Sequence, residues 1–437
     1  MRTEPLLTAE ELAEEWPALP QTERVRRFRL LPRVEREELF LARSAREQAA
    51  LLHTFRPEER RAWIRLLPPD DVADLAQEVP EDERESLLEA LDEASRAEVR
   101  ALLVYAEDVA GGLMSPRYAT LRPDMTVDEA IRYLRHLARE RLETIYYVYV
   151  IDDAQRLLGV VSFRELFLAS ERALIRDVMR TDVVTLAEGE DQEAVGRAFR
   201  EHGLLALPVV DGERRLRGIV TMDDAIDVVE EEATEDAQKA GAVESLGAPY
   251  LEVGLGTMVR KRGGWLAVLF VGELFTATAM AFYEDLIART VVLALFVPLI
   301  ISSGGNSGAQ ASTLVVRAMA LGEVRLRHWW AVARREVVTG LVLGALLGAL
   351  GFLRIVLWQA VRPVYGEHAL RLATTIGLSL VGVVAFGAVA GSLLPFAFRA
   401  LRRDPAIASG PFVATLVDVT GLVIYFTVAA LVLAAGS

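Results

Sequence analysis

The sequence predicts a multidomain chain with an all-α superhelical N domain, an α/β region built from a tandem repeat, a long connecting helix and a five-helix transmembrane domain. Three observations predict this architecture: short amphipathic helices to about residue 110, one strand-and-helix unit that occurs twice, and long apolar segments from about residue 265 onward. The mean hydropathy is +0.27, which is high for a chain with 25% charged residues. This combination indicates that the chain has separate membrane-spanning and soluble parts.

Charge divides the chain at about Gly263. Before this residue there are 54 acidic against 36 basic residues, and from it onward there are 8 against 12. An acidic soluble part joined to a slightly basic apolar part indicates a cytoplasmic region tied to a membrane domain. The charge excludes nucleic acid as a partner and favours a cation. The chain has no cysteine, so disulfides, thiolate metal sites and cysteine nucleophiles are also excluded.

The first part, residues 1–110, is predicted to form a helical N domain. Apolar residues recur at three- and four-residue spacing in the segments 25–31, 36–43, 57–67 and 70–79, and the last two start with Pro57 and Asp70. Helix pairs of this kind stack into superhelical bundles. Residues 1–20 lack the basic start and apolar stretch of a signal peptide, so this part is expected to stay in the cytoplasm.

The second part is an internal duplication, with units at residues 111–170 and 171–229. Each unit has a helix, a strand, a glycine turn, a second strand and a helix with an acidic start, in the same order. The predicted helices are 127–137 and 192–200, and the strands before the glycine turns are 144–151 and 206–210. The pair resembles a tandem CBS domain, a regulatory module. The resemblance leaves open whether it binds an adenosine nucleotide such as ATP or serves in dimer packing.

The third part, residues 230–260, connects the repeats to the membrane domain. An acidic helix is predicted over residues 225–240. A continuous helix between a regulatory domain and a membrane is well placed to transmit movement. A solvated linker helix is the alternative interpretation.

The last part, residues 261–437, is predicted to span a lipid bilayer five times. The spans are 265–282, 286–301, 329–357, 376–398 and 413–435, each near the length that a bilayer core requires. Residues 302–321 continue the second span, which is therefore predicted to be a broken helix. Basic residues flank the cytoplasmic ends of the spans at 260–262, 325–335 and 399–403. The positive-inside rule then places the N-terminus in the cytoplasm and the C-terminus outside.

Asp418 is hard to explain as a structural residue. It lies within the fifth span, where an ionisable group costs several kcal/mol unless it faces water or a partner. We take it as the only intramembrane anion, which predicts a functional role. The alternatives are that Asp418 snorkels or is hydrogen-bonded to Thr415.

A polar, glycine-rich segment occupies residues 302–312 at membrane depth. Irregular backbone is tolerated there where it lines a cavity or is packed in protein. Small residues also allow helices to approach closely, so helix packing is the rival interpretation.

Four segments in the expected order resemble the MgtE family of magnesium transporters. They are residues 107–114, the acidic run 232–236, the segment 298–314 around Gly304-Gly305-Asn306, and residues 410–418 ending in Asp418. The resemblance implies a homodimer in the cell inner membrane with a pore on the two-fold axis. It implies that Asp418 holds hydrated Mg²⁺ there. Magnesium sheds its waters reluctantly and is commonly held by one or two carboxylates, which agrees with this role.

The resemblance also implies that internal Mg²⁺ binds acidic interfaces of the cytoplasmic region and closes the pore. The positions that match are Glu38, Asp70, Asp224, Asp227, Glu232, Glu235 and Asp236. The sequence departs from the family pattern at Gly203, which stands in place of a carboxylate, at Gly410, which replaces an asparagine, and at Ala309, which replaces a polar residue. The first departure puts one regulatory site in doubt, and the other two bear on the pore lining.

Three functions compete at this point. The first is a passive magnesium channel gated by internal magnesium, and the second is a gradient-coupled cation transporter or exporter on the same scaffold. The third is a membrane-tethered nucleotide sensor, for which neither Asp418 nor a broken helix is needed. The chain is not expected to be an enzyme, because it has no P-loop signature and no phosphorylatable Asp motif of an ion pump.

Overall fold

The structure, a computed structural model, describes residues 8–137, 142–362, 365 and 368–434. The first residues of the predicted N domain and the end of the predicted fifth span lie outside these ranges. The chain divides into two compact units, Met1–Glu232 and Ala233–Ser437.

The first unit begins with eight short helices. They are α1 (Ala9–Glu15), α2 (Gln21–Leu30), α3 (Arg33–Leu41), α4 (Ala45–Leu52), α5 (Pro57–Ile64), α6 (Pro69–Glu78), α7 (Glu81–Leu88) and α8 (Glu93–Leu102). Proline is the first residue of α5 and α6 and precedes the first residue of α2, α3 and α7. Proline is compatible with a helix start and cannot continue a preceding helix, which explains why the helices are short. The predicted helical N domain is confirmed.

Aromatic side chains fill the core of this bundle. The rings of Phe28, Phe40 and Phe55 surround Trp63, with centroid distances of 5.0 to 5.8 Å to the indole. Trp16 is also buried, with 1% of its surface exposed. Aromatic pairs at such distances add to the stabilisation from area burial alone.

Two three-stranded sheets follow. The elements are α9 (Ala110–Leu113), β1 (Thr120–Leu121), α10 (Val127–Leu137), β2 (Tyr147–Ile151), β3 (Leu157–Ser162), α11 (Phe163–Leu168), α12 (Ile175–Val178), β4 (Leu186–Ala187), α13 (Gln192–His202), β5 (Ala206–Val210), β6 (Leu216–Thr221) and α14 (Met222–Ala240). In each sheet a parallel pair, β1 with β2 or β4 with β5, is followed by an antiparallel hairpin.

The two hairpins repeat each other in detail. Both shift register at the last pair of the strand, after Val150 in one and after Val209 in the other. Both turns begin with an aspartate, Asp152 or Asp211, whose side chain accepts hydrogen bonds from the backbone two and four residues later. This Asx-type turn fixes the hairpin locally, and its recurrence confirms the predicted duplication.

The connecting helix α14 starts three residues before its predicted start. The Thr221 hydroxyl donates to the Asp224 carboxylate at 2.5 Å, and the Thr221 backbone N–H donates to the same carboxylate at 3.3 Å. This is the capping pattern of a helix start, with an acid three residues after a threonine. The unit boundary lies inside α14, between Glu232 and Ala233.

Within the described residues, the second unit contains five helices that are long and apolar enough to cross a membrane. Its elements are α15 (Leu255–Phe282), α16 (Glu284–Arg289), α17 (Val297–Ala320), α18 (Trp329–Val361), α19 (Ala369–Ala400) and α20 (Gly410–Ala434). A 3₁₀ segment, Val291–Phe296, precedes α17, and another, Pro405–Ile407, precedes α20. The prediction of five spans is confirmed.

The second span is interrupted, as predicted: α16 ends at Arg289 and the 3₁₀ segment Val291–Phe296 separates it from α17. The interruption does not lie in the glycine-rich segment, through which α17 runs as a continuous helix. Glycine is a poor helix former by about 1 kcal/mol per residue. Here tertiary packing outweighs propensity, because Gly304, Gly305 and Gly308 are all buried. The packing interpretation of the segment is therefore the one that the structure supports.

Backbone-to-backbone contact joins α17 to α19. A Cβ placed on Gly391 would lie 2.1 Å from the carbonyl oxygen of Gly308, and one placed on Gly387 would lie 2.4 Å from that of Gly304. Helix α18 meets α19 in the same way, since a Cβ on Gly348 would lie 2.6 Å from the Gly377 carbonyl oxygen. Small residues at four-residue spacing allow this close approach.

Gly391→Ala is therefore expected to destabilise the second unit by about 1–3 kcal/mol, the usual cost of overpacking. The added methyl meets backbone, which cannot rotate away as a side chain can. Thermal unfolding of the full chain in detergent measures the effect. Gly263→Ala on α15 is the matched control, because a Cβ there meets nothing within 4 Å. Equal melting temperatures for the two variants would contradict the close packing.

Candidate ion-binding sites

Asp418 lies in the third turn of α20 and is half-buried. Its carboxylate faces the glycine-rich part of α17: a Cβ placed on Gly305 would lie 3.6 Å from Asp418 Oδ1 and 3.4 Å from the Ala414 side chain. A side chain larger than glycine at 305 would take up space beside this carboxylate. Glycine at position 305 thus keeps a side chain of α17 away from the Asp418 carboxylate.

The hydroxyls near Asp418 are occupied by their own helix. Thr415 donates to the Pro411 carbonyl oxygen at 3.1 Å, and Thr420 donates to the Leu416 carbonyl oxygen at 2.8 Å. A hydroxyl has a single proton, so Thr415 does not satisfy Asp418 in the way that the structural alternative requires. The oxygens of both hydroxyls remain able to accept hydrogen bonds from water.

The interpretation of Asp418 as the only intramembrane anion is wrong. Glu273 lies near the middle of the first candidate span, and Glu336 lies in the third. Glu273 is half-buried, and its carboxylate exerts a like-charge interaction on Asp418. It follows Gly272, where a Cβ would meet the Thr415 methyl at 2.8 Å, so α15 touches α20 at this level. The signal for Glu273 was visible in the sequence, because it is an acidic residue within an apolar segment, as Asp418 is.

A second site is a cavity of about 270 Å³ in the first unit. Carboxylates from α6 and α14 line it. They are Asp70, Asp71, Asp74, Asp224, Asp227 and Glu231. Asp70 and Asp74 stand four residues apart and so share a face of α6, and Asp224, Asp227 and Glu231 share a face of α14 in the same way. Two acidic faces thus meet around one space.

Asp70 is the most enclosed of these carboxylates, with 7% of its surface exposed. The Ser115 hydroxyl lies 3.5 Å from Asp70 Oδ1 and 3.2 Å from Glu143 Oε2, so one proton serves two acids. Burial, together with the charges of Glu143, Asp71 and Asp224, raises the pKa of Asp70 to about 8. At neutral pH this side chain holds its proton unless a cation takes its place.

Burial also raises the pKa of other lining carboxyls, among them Asp224 and Asp71. The pKa of Asp224 rises to about 7, although its hydrogen bonds with Thr221 act in the opposite direction. The pKa of Asp71 rises to about 6, with added repulsion from Glu143, Asp223 and Asp227. Arg43 also lines the cavity, but it lies over the Trp16 ring, 5.7 Å from the centroid. Within the described ranges Arg43 forms no ion pair with these carboxylates.

The predicted regulatory residues separate into three groups. Asp70, Asp224 and Asp227 line the cavity. Glu38 is exposed on α3 and is not among the lining residues. The remaining three lie farther along α14: Glu232 accepts a hydrogen bond from Gln192 at 2.6 Å, Glu235 pairs with Lys239, and Asp236 is half-buried in the second unit.

The sequence interpretation missed Asp71, Asp74, Glu143 and Glu231. The four-residue spacing on α6 and α14 was visible, but the burial that makes Asp70 and Asp71 unusual depends on tertiary packing. In the part of the chain that the structure describes, no three acids or histidines converge closely enough to hold a bare metal ion. The cavity suits a hydrated ion, because Mg²⁺ usually keeps several of its waters.

These pKa values predict how stability depends on pH. In the folded chain Asp70, Asp71 and Asp224 keep protons that the unfolded chain releases near its ordinary value of 3.8. The free energy of unfolding should therefore fall as pH rises from about 4 to about 8. Millimolar Mg²⁺ should restore stability at pH 8 and have little effect at pH 4, where the acids are protonated.

Thermal unfolding of the full chain in detergent at each pH, with and without Mg²⁺, measures this effect. The melting temperature should rise by about 2–4 °C for each kcal/mol that the ion restores. Asp70→Asn should flatten the pH dependence, whereas Asp153→Asn, at an exposed turn, should leave it unchanged. A pH profile that Asp70→Asn does not alter would refute the assignment.

The three departures from the family pattern have local explanations. Gly203 ends α13 with φ of +61°, a left-handed conformation that side chains rarely adopt. Gly410 and Ala309 face each other, since a Cβ on Gly410 would lie 3.4 Å from the Ala309 Cβ. Two small residues therefore occupy one contact between α17 and the start of α20.

Three protein-family models match different ranges of the chain. The family model MgtE, described as a divalent cation transporter, matches residues 297–428. The model of the MgtE intracellular N domain matches residues 7–108, and the CBS domain model matches residues 106–172 and 175–231.

Relatives match most of the chain. The magnesium transporter MgtE of Thermus thermophilus is 43% identical over 349 residues, which cover 80% of this chain and 75% of the relative. The magnesium transporter MgtE of Enterococcus faecalis is 36% identical over 336 residues, 76% of this chain and 71% of the relative. Among solved structures, the cytosolic domain of the Mg²⁺ channel MgtE in complex with ATP is 41% identical and covers 51% of this chain and 90% of that chain, with a TM-score of 0.47.

Proposed function

We propose, from the premise that the chain belongs to the MgtE family of magnesium transporters, that its membrane unit is a magnesium-selective channel that internal magnesium closes. The premise rests on relatives at 43% and 36% identity over most of the chain and on the family models for the N domain, the CBS pair and the transporter domain. The chain is thus a multi-pass membrane protein of a transporter family. The comparisons indicate no catalytic family.

The observation that carries the pore proposal is the carboxylate of Asp418 beside Gly305. Two copies of the chain in a homodimer would present two such carboxylates across the axis. They would hold hydrated Mg²⁺ through its waters, and the oxygens of Thr415 and Thr420 would accept further hydrogen bonds from those waters. Two carboxylates attract a divalent ion without trapping it, which conduction requires.

No coupled energy source is needed for uptake. An inside-negative potential of 100 mV favours entry of a doubly charged ion by about 4.6 kcal/mol. The proposed orientation puts the acidic first unit in the cytoplasm and the C-terminus outside, since basic residues cluster before the first span, between the second and third spans, and between the fourth and fifth. The proposed location is the cell inner membrane.

Closure by internal magnesium is proposed at the acidic cavity of the first unit. Without a cation, the carboxylates of α6 and α14 repel each other or take up protons at a cost. A hydrated Mg²⁺ ion replaces this repulsion with attraction and draws the two helices together. Because α14 continues into the second unit, its position can report occupancy of the cavity to the pore. Glu232, Glu235 and Asp236 extend the proposed regulatory surface.

The CBS pair is the proposed site for an adenosine nucleotide such as ATP. The match to the CBS family model over both repeats supports this proposal. The test has two measurements. ATP binding to the full chain is measured by titration, and the magnesium concentration that halves the current is then compared with and without ATP.

The competing function is gradient-coupled transport or export on the same scaffold. Purified chain in liposomes that contain a magnesium-sensitive dye separates the two. A channel should pass Mg²⁺ under a potassium diffusion potential alone, at the same rate with and without sodium or proton gradients. Flux that requires either gradient would contradict the channel proposal and support coupled transport.

A further inference from the structure

The end of the connecting helix carries an ion pair to the corner before α20. The Lys239 ammonium donates to Asp404 Oδ2 at 2.6 Å and also pairs with Glu235 one turn earlier on α14. Burial lowers the pKa of Lys239, but the hydrogen bonds to Asp404 and Glu235 outweigh it and raise the pKa above its ordinary value. Lys239 therefore stays charged throughout the physiological range.

Asp404 fixes the start of the helix that carries Asp418. Its other oxygen, Oδ1, accepts the Ala406 backbone N–H at 2.8 Å and so caps the 3₁₀ turn that leads into α20. The next residue after that turn, Ala408, accepts a hydrogen bond from the buried Ser312 hydroxyl of α17. One carboxylate thus binds the connecting helix with one oxygen and orders the corner with the other.

A second contact lies beside the ion pair. A Cβ on Gly410, the first residue of α20, would lie 4.0 Å from the Ala240 carbonyl oxygen at the end of α14 and 3.4 Å from the Ala309 Cβ. The small residues at 410 and 309 are both departures from the family pattern. Their size lets the end of α14 approach the start of α20 closely.

The chain after α14 is also held in place. The backbone N–H of Leu246 donates to the Gln238 side chain at 2.6 Å, and Lys261 donates to the Ser245 carbonyl oxygen. The Leu246–Gln238 bond therefore holds the last turn of α14 on the side of the chain that leads to α15, whereas the Lys261–Ser245 bond joins two residues that both lie beyond α14.

We propose that Lys239 and Asp404 are positioning residues that couple α14 to α20, so that the ion pair carries the closing movement to Asp418. The inference rests on the proposed closure by internal magnesium. The proposal gives neither residue a direct contact with the ion at Asp418 or in the acidic cavity. Both residues act through the position of α20.

The test is patch current against magnesium at the cytoplasmic face for the full chain and for Lys239→Met and Asp404→Asn. Each variant should raise the half-inhibiting concentration by about fivefold, the scale of a partly exposed ion pair. The single-channel conductance should not change, because the ion path is untouched. Lys239→Arg should keep the curve near that of the unaltered chain, and the swap Lys239→Asp with Asp404→Lys should restore part of the inhibition.

Lys261→Met is the matched control, since it removes the only other lysine of the chain and a bond in the same unit. An unchanged inhibition curve for Lys239→Met, or an equal shift for Lys261→Met, would overturn the inference. If Asp404→Asn fails to fold, Lys239→Met carries the test, and Asp404→Glu, which keeps the charge, should leave the inhibition curve near that of the unaltered chain. If cytoplasmic magnesium does not inhibit the unaltered chain, the proposed closure itself is refuted. This outcome differs from a failure of the coupling inference, in which the unaltered chain is inhibited and Lys239→Met does not shift the curve.

Discussion

Asp418→Ala is expected to reduce magnesium flux by about 100-fold while the protein still folds. If each of two carboxylates contributes about 1.5 kcal/mol through charge-assisted hydrogen bonds to the ion's waters, their joint loss corresponds to a factor of about 100. Asp418→Asn should be nearly as damaging, because it keeps the shape of the side chain and removes the charge. Dye-loaded liposomes report the flux, and gel filtration in detergent reports folding.

Two further variants sharpen this test. Asp285→Asn removes an exposed carboxylate of the same unit and should leave flux near normal. Glu273→Gln removes the half-buried acid that acts on Asp418 and should have an intermediate effect. Normal flux in Asp418→Ala would rule out the pore assignment. A larger loss in Glu273→Gln than in Asp418→Ala would move the main ion site to α15.

Neutralising the cavity should leave a channel that conducts at high internal magnesium. We expect this of the combined variant Asp70→Asn, Asp71→Asn and Asp224→Asn. Asparagine resembles the protonated acid that the cavity already stabilises, so folding should be kept or improved. Shifting a gate from mostly open to mostly shut takes about 5.5 kcal/mol, a sum that several weak sites reach together. Patch current against cytoplasmic magnesium should show inhibition weakened by at least about tenfold.

Glu38→Gln is the control for this experiment. The residue is exposed and does not line the cavity, so its inhibition curve should match that of the unaltered chain. An unchanged curve for the combined variant would place the magnesium sensor outside the cavity. A strong effect of Glu38→Gln would show that α3 takes part through a contact that a single chain does not contain.

The sequence predicted the order of the elements well because each depends on local signals. Prolines mark the starts of the N-domain helices, and strand β5 agrees with its predicted bounds because Gly212 and its neighbours delimit it. The five spans were visible from length and apolarity alone. The acid in the last span was found in the same way, as a charge in an apolar run.

What the sequence could not give was tertiary contact. The glycine-rich part of α17 has low helix propensity, and only its packing on α19 explains why it is helical. The raised pKa of Asp70 comes from burial and from the charge of Glu143, which is far away in sequence and close in space. Glu38 and Asp70 looked equivalent in the sequence, and only the fold places one at the surface and the other in the cavity.

The glycine contacts of the second unit distinguish helices that pack through main-chain atoms from a helix that packs through side chains. Helices α17, α18 and α19 meet through main-chain atoms at Gly308, Gly377 and Gly391, so they cannot slide past one another without leaving gaps. Helix α20 meets α17 through side-chain methyl groups such as those of Val413, and such groups can change rotamer. We therefore expect the three glycine-packed helices to stay fixed relative to one another when the pore opens. The helix that carries Asp418 is then the one expected to tilt against them.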